Sequence, residues 1–141
     1  MIVTFAGTAA GMTDEQIFSF RRLLKKLAPD WLRHSDQVGA EQQAHEVAVL
    51  AGVDVEVFPI SNAGRHRGWC MGAKVIHPPK FPETRDREIL RGAAAAIIAP
   101  RQANETLHSS DWRIVRAARK ANITVYVIEP EGAVRREDCI V

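Results

Sequence analysis

Cysteine is nearly absent from this chain. Cys70 and Cys139 are the two among 141 residues. They lie far apart and in no Cys-x-x-Cys pattern, so neither a disulfide framework nor a zinc site is indicated, and two free thiols are expected. Long apolar runs are missing too: nothing approaches the roughly 18 unbroken apolar residues that a membrane span requires. The run Met1 to Phe5 lacks the basic start and extended apolar stretch of a signal peptide and reads as a strand entering a glycine turn, so a cytoplasmic protein is expected. Charge of one sign is lacking as well. Lys and Arg number 19 against 17 Asp and Glu, for a formal net charge of +2. The two signs are mixed along the chain, and nucleic-acid binding gains little from that balance. The five histidines, His34, His45, His66, His77 and His108, show no spacing typical of a metal-binding helix or finger. No metal and no other cofactor is expected.

What is present is an ordinary globular composition, 46% hydrophobic and 26% charged, at a length suited to one domain with its own core. Strand and helix alternate. Ile2 to Ala6 reads as a strand leading into Gly7-Thr8-Ala9-Ala10-Gly11. Thr13 and Gln16 then form a capping box for a helix whose Ile17, Phe20, Leu23, Leu24 and Leu27 share one stripe up to Pro29. Its outer face carries Arg21, Arg22, Lys25 and Lys26, which argues against that face as a self-association interface. A strand at Trp31 to His34 precedes a helix from Ala40 to Leu50 closed by Gly52, and Val53 to Phe58 alternates as a third strand. Pro59 to Pro82 is irregular, far longer than the usual connection of roughly 4–6 residues, and suits a loop that covers a pocket or reaches a partner. A helix from Thr84 to Arg91, a buried strand from Ala93 to Ala99, a polar loop, a helix from Asp111 to Ala121 and a strand from Ile123 to Ile128 complete the pattern. The expected fold is α/β: a doubly wound, mainly parallel, Rossmann-like sheet of about five strands over residues 1–130, with 131–141 as a charged tail.

Three strand-to-helix junctions carry the candidate chemistry: Gly7 to Gly11, Asp36 to Ala40, and Ser109-Ser110-Asp111 before Trp112. Each puts unpaired backbone N–H groups at a helix start, where phosphate or carboxylate is favoured. Gly7 permits close backbone approach to a ligand and the Thr8 hydroxyl can donate to it; the plainer role of both is the first turn. Asp36 and Glu41 are explained by a cap and by the helix dipole, with ribose or base contact as the functional alternative. Arg85 and Arg87 stand before the central strand, and Arg85 is the preferred anion-holding arginine. Arg116 and Arg119 lie on one face of the last helix, where Arg119 suits stacking on Trp112.

These junctions together resemble the SLOG superfamily, the Rossmann-like group that includes the LOG phosphoribohydrolases and the DNA-processing protein A fold. More closely, they are similar to a small bacterial and phage-associated branch. The resemblance rests on Gly7-Thr8 with Gly11-Met12-Thr13, Asp36 with Gly39-Ala40-Glu41, His45, His77-Pro78-Pro79, Arg85-Asp86-Arg87, and Ser109-Ser110-Asp111-Trp112 with Arg116 and Arg119. It implies a nucleotide or nucleotide-derived ligand across the strand ends. Two departures bear on activity. The family's Gly-Thr at the last helix start is here Ser110-Asp111, whose carboxylate repels phosphate unless Arg85 or Arg87 compensates. The LOG catalytic glutamate aligns with Ile114, which has no acid or base to offer.

The expected function is therefore binding of a nucleotide-like small molecule without efficient catalysis, through Gly7, Thr8, Asp36, Gly39, Ala40, Glu41, Arg85, Ser109, Ser110, Asp111 and Trp112. One alternative is an N-glycosidic or phosphoribosyl hydrolase in which Glu41 or Asp111 replaces the missing glutamate and Arg85 steadies the departing charge. Another is an assembly module with a decayed pocket. Homo-oligomerisation is expected.

Overall fold

A computed structural model describes residues 1–61 and 66–138. Part of the long 59–82 loop, residues 62–65, and the end of the expected tail, including Cys139, lie outside them. The elements in chain order are β1 (Ile2–Gly7), α1 (Asp14–Leu27), β2 (Trp31–His34), α2 (Ala40–Leu50), β3 (Asp54–Val57), β4 (Val75–Ile76), α3 (Pro82–Leu90), β5 (Ala95–Ala99), α4 (Ser110–Lys120), β6 (Thr124–Ile128) and β7 (Val134–Glu137). The strands form one sheet in the order β4-β3-β2-β1-β5-β6-β7. All pairings are parallel except β6 with β7. Among the described residues no helix is long and apolar enough to cross a membrane.

This is a doubly wound, Rossmann-like fold with seven strands where about five were expected. The two additions are edge strands. β4 pairs only Glu56 with Val75 and Val57 with Ile76, inside the stretch read as wholly irregular. β7 lies in what was read as a charged tail, and its register sets Tyr126 against Arg136 and Val127 against Arg135. Its sequence Val-Arg-Arg-Glu is mostly exposed, so it carries no alternating apolar signal; charge on an edge strand also discourages pairing with another chain.

The central strands show the opposite pattern. β5 is buried at all five positions, with helices on both faces of the sheet, as parallel strands require. One core layer joins Phe5, Phe20, Leu32 and Val55 with the small residues Ala40, Ala44 and Ala48 of α2. The other joins Ile98 and Val127 with Ile89, Trp112, Ile114 and Val115 of α3 and α4. Ile114 is thus a core residue.

The expected capping box of α1 forms, with Gln16 N donating to Thr13 Oγ1 and Thr13 N to Gln16 Oε1, both at 3.0 Å. Gln16 does more than cap. It is buried, and its amide donates to the carbonyls of Pro100 (2.8 Å) and Ile128 (2.9 Å), tying the helix start to the ends of β5 and β6. Pro100 directly follows β5 and Ile128 ends β6, and buried carbonyls need such donors.

Candidate functional site

The chain winds outward from β1 through β2, β3 and β4, then returns to β5 on the other side of β1. Loops leaving β1 and β5 therefore diverge, and the crevice between them is where open α/β sheets bind ligands. A cleft of about 320 Å³ opens there, within the roughly 300–1,000 Å³ of small-molecule sites. Gly7, Thr8 and Ala9 form one wall after β1, Gln37 closes one end, and Arg101 and Gln102 stand after β5. Thr106 and the α4 start, Ser109 to Trp112, complete it.

Local packing explains much of this wall. Gly7 is needed because an added Cβ would press on the Ala40 Cβ and the Ala99 carbonyl. Gly39 has φ +90°, and a Cβ there would collide with the Ala9 and Thr8 carbonyls. Thr8 is fixed through its backbone, N donating to Ala99 O (3.0 Å) and O accepting from Ala40 N (3.0 Å). Its Oγ1 accepts from Ala10 N at 3.2 Å, leaving the hydroxyl proton available to donate.

At the α4 start, Ser109 caps Trp112 N (3.4 Å), and Asp111 Oδ1 accepts from the same N–H at 2.9 Å. One of the helix's orphan donors is therefore already filled, by a carboxylate that sits where an incoming anion would. Ser110 Oγ reaches Gln37 Oε1 at 3.5 Å across the cleft. Arg101 and Asp111 are the charged residues in the lining, so the cleft offers hydroxyls, amides and one charge of each sign rather than a cationic cradle.

Beside the cleft, at the β2–α2 junction, lies a second polar group that is buried. Glu41, 2% exposed, accepts from Ser35 N (2.6 Å) and Ser35 Oγ (2.7 Å) through Oε1. Burial pushes its carboxyl up to about 7, against the lowering influence of the Ser35 bonds and of Arg85. Arg85, also 2% exposed, pairs through Nη2 with Asp86 Oδ1 at 2.8 Å, and Asp86 Oδ2 accepts from Arg113 Nε at 2.7 Å. Asp36, at φ +61°, does not cap α2, whose N-cap is Gly39; its carboxylate accepts from Arg67 (3.1 Å) and from Cys70 N (2.9 Å) instead. Those bonds draw residues 67–70 over the junction.

The histidines join the same cluster. His34 Nδ1 accepts from Asp36 N (2.9 Å), so its proton is on Nε2, which donates to His45 Nδ1 (2.9 Å); His45 Nε2 donates in turn to Met71 O (2.6 Å). Burial and the neighbouring His45 push His34 down to about 3, against the opposing pull of Asp36, which keeps the ring neutral at ordinary pH. His34, His45 and Cys70 each present a ligand atom, all within 4.8 Å of one another, although their spacing in the chain suggests no metal site.

The structure thus divides the eleven residues read as one site. Gly7, Thr8, Ser109, Ser110, Asp111 and Trp112 line the cleft; Asp36, Gly39, Ala40, Glu41 and Arg85 do not. Arg85 is the clearest reassignment: it is buried against Asp86 rather than presented to the cleft, and Arg87 is exposed elsewhere on α3. Arg119 is held by Glu105 (2.7 Å) and Glu137 (2.8 Å) rather than stacked on Trp112, which is 2% exposed. Arg116 donates to the carbonyls of Thr106 (3.0 Å) and Leu107 (3.1 Å), fixing the loop above α4. Ala9 and Gln37 fall inside the junctions read as candidates but outside the eleven named residues, and Arg101, Gln102 and Thr106 were missed. The signal for Arg101 and Gln102 was position alone, since both follow the carboxyl end of a strand.

No family model matches the sequence, and no curated protein does. Among solved structures, the chain is similar to the X-ray structure of TM1055, a structural-genomics target, with a TM-score of 0.60 and 14% identity over 88% of this chain and 71% of that one. That likeness is one of fold. It agrees with the doubly wound sheet.

Proposed function

We propose that the protein binds a nucleotide or nucleotide-derived small molecule in the β1–β5 cleft without efficient catalysis. The observation that carries this reading is the lining of the cleft: at the switch point of the sheet, Thr8, Gln37, Gln102, Ser109 and Ser110 supply neutral hydrogen-bonding groups, with Arg101 and Asp111 as the charged pair. Neutral donors and acceptors suit the edge of a base and the hydroxyls of a ribose, while one arginine beside one carboxylate suits a nucleoside or a monophosphate better than a di- or triphosphate. The resemblance of the ordered motifs to the SLOG superfamily points to the same ligand class. Ile114 lies in the core, and Glu41, the acid best tuned for proton transfer near neutrality, is turned into a bond with Ser35 behind the cleft wall.

Asp111 favours a second reading. It is a carboxylate in the cleft lining, and a hydrolase of N-glycosidic bonds would need one there as general acid or as a stabiliser of oxocarbenium charge.

Titration calorimetry with adenosine, AMP, ADP and ADP-ribose, followed by chromatography of the incubated mixtures, tests both. Saturable heat for a nucleoside or monophosphate, with no free base released, is the expected result. Release of base that stops in Asp111→Asn supports the hydrolase. Absence of heat with every compound overturns the proposal and leaves an assembly module with a decayed pocket.

A further inference from the structure

Beyond the cleft, the convergence of His34, His45 and Cys70 has no role in the reading above. The three come from different elements: His34 ends β2, His45 is in the middle of α2, and Cys70 lies between β3 and β4. Both histidines are buried and the cysteine is half-buried, with their ligand atoms within 4.8 Å. We propose that these residues form a transition-metal site of two nitrogens and one sulfur, suited to Zn²⁺, which clasps the 66–72 loop onto the end of the sheet.

The donor set fits such an ion. Imidazole and thiolate together suit Zn²⁺ rather than Mg²⁺ or Ca²⁺, which prefer oxygen. His45 is prepared as a ligand: its Nε2–H is held on the Met71 carbonyl, so Nδ1 presents its lone pair to the cluster. This outer-shell bond is of the kind that orients metal-bound histidines. Cys70 is the least buried of the three.

Proton accounting is explicit. On entry of M²⁺ the Cys70 thiol gives one proton to solvent and a metal–sulfur bond forms. The proton on His34 Nε2, now bonded to His45, passes to Nδ1, so that Nε2 can coordinate. The Asp36 amide then loses its acceptor on His34 and the His34–His45 hydrogen bond is given up, two hydrogen bonds set against three metal–ligand bonds.

Titration of reduced full-length protein with Co²⁺, read by absorption, tests the site without any nucleotide, so its outcome is independent of the cleft. The expected spectrum contains sulfur-to-cobalt charge transfer and intense tetrahedral d–d bands at one equivalent, displaced by Zn²⁺. Cys70→Ser removes the charge-transfer band, His45→Gln weakens cobalt affinity at least tenfold, and Cys139→Ser leaves both unchanged. Circular dichroism of each variant checks the fold. Two results overturn the proposal: no charge-transfer band in the parent protein, or a band that persists in Cys70→Ser and disappears in Cys139→Ser. Elemental analysis of Zn²⁺-dialysed parent protein adds a readout that needs no variant, with about one ion per chain expected and less than about a tenth contradicting the site.

Discussion

The two polar regions at the carboxyl ends of the strands are built from the same kinds of residue and end up opposite in character. At the β1–β5 junction, Thr8 and Ser110 face a cleft that the buried Asp111 also lines. At the β2–α2 junction, Ser35, Asp36 and Glu41 are buried, their hydrogen bonds made to one another and to residues 67–70. The difference is what crosses over each junction. A loop drawn in by Asp36 closes one, while the loop above α4, held by Arg116, stands beside the other. A helix start with polar residues is thus a ligand site or a buried network according to its cover, and the helix start itself does not decide.

The largest effect expected would break both regions at once. Gly39 joins them, at φ +90° and against the Thr8 and Ala9 carbonyls; Gly39→Val combines a forbidden backbone conformation with a backbone collision and should cost about 4 kcal/mol or more. Urea denaturation would register this, and a loss under 1 kcal/mol would show that the junction relaxes freely.

Next comes a pH test of the buried region. Glu41 titrates near 7 in the folded protein against an ordinary 4.5, so the native state keeps this proton longer than the unfolded chain. The stabilisation is complete below about pH 4.5 and is lost as pH rises through 7, to a total of about 3 kcal/mol. Glu41→Gln retains the acceptor for Ser35 and should flatten that slope in urea titrations from pH 5 to 8. An unchanged slope would mean that Glu41 ionises freely.

Asp36→Asn sharpens the account of cover. It removes the charge that holds Arg67 while keeping an acceptor for Cys70 N, at a cost of about 2 kcal/mol. Hydrogen exchange should quicken at Gly68 and Cys70 and stay unchanged at Thr8; uniform quickening would argue against a local clasp. The smallest effect on stability, within about 0.5 kcal/mol, is expected for Asp111→Asn, which preserves the bond to Trp112 N. Its affinity for a nucleoside monophosphate should rise about tenfold over the parent, or about 1.4 kcal/mol, while adenosine binding stays level. Equal changes for both would remove the carboxylate from the phosphate's vicinity.

Much of the frame was legible in the chain because it depends on near neighbours. The Thr13–Gln16 box spans three residues, and β5 declares itself by an unbroken apolar run. Arg85 misled because α3 is short and rich in charge, with no clear apolar stripe to show which side turns inward. His34, His45 and Cys70 gave no motif, since their meeting needs β2, α2 and the β3–β4 connection to be assembled first.

The sequence by itself determined the alternation of strands and helices, the capping box of α1 and the placing of polar loops at strand ends. These follow from local periodicity and from turn chemistry. Only the tertiary structure decided which junction stayed open and that Arg85 and Glu41 would be buried. It alone also made an edge strand of Val134–Glu137 and brought two histidines to a cysteine. Those outcomes turn on contacts between residues distant in the chain, where burial and the cover of one loop by another set the environment of each group.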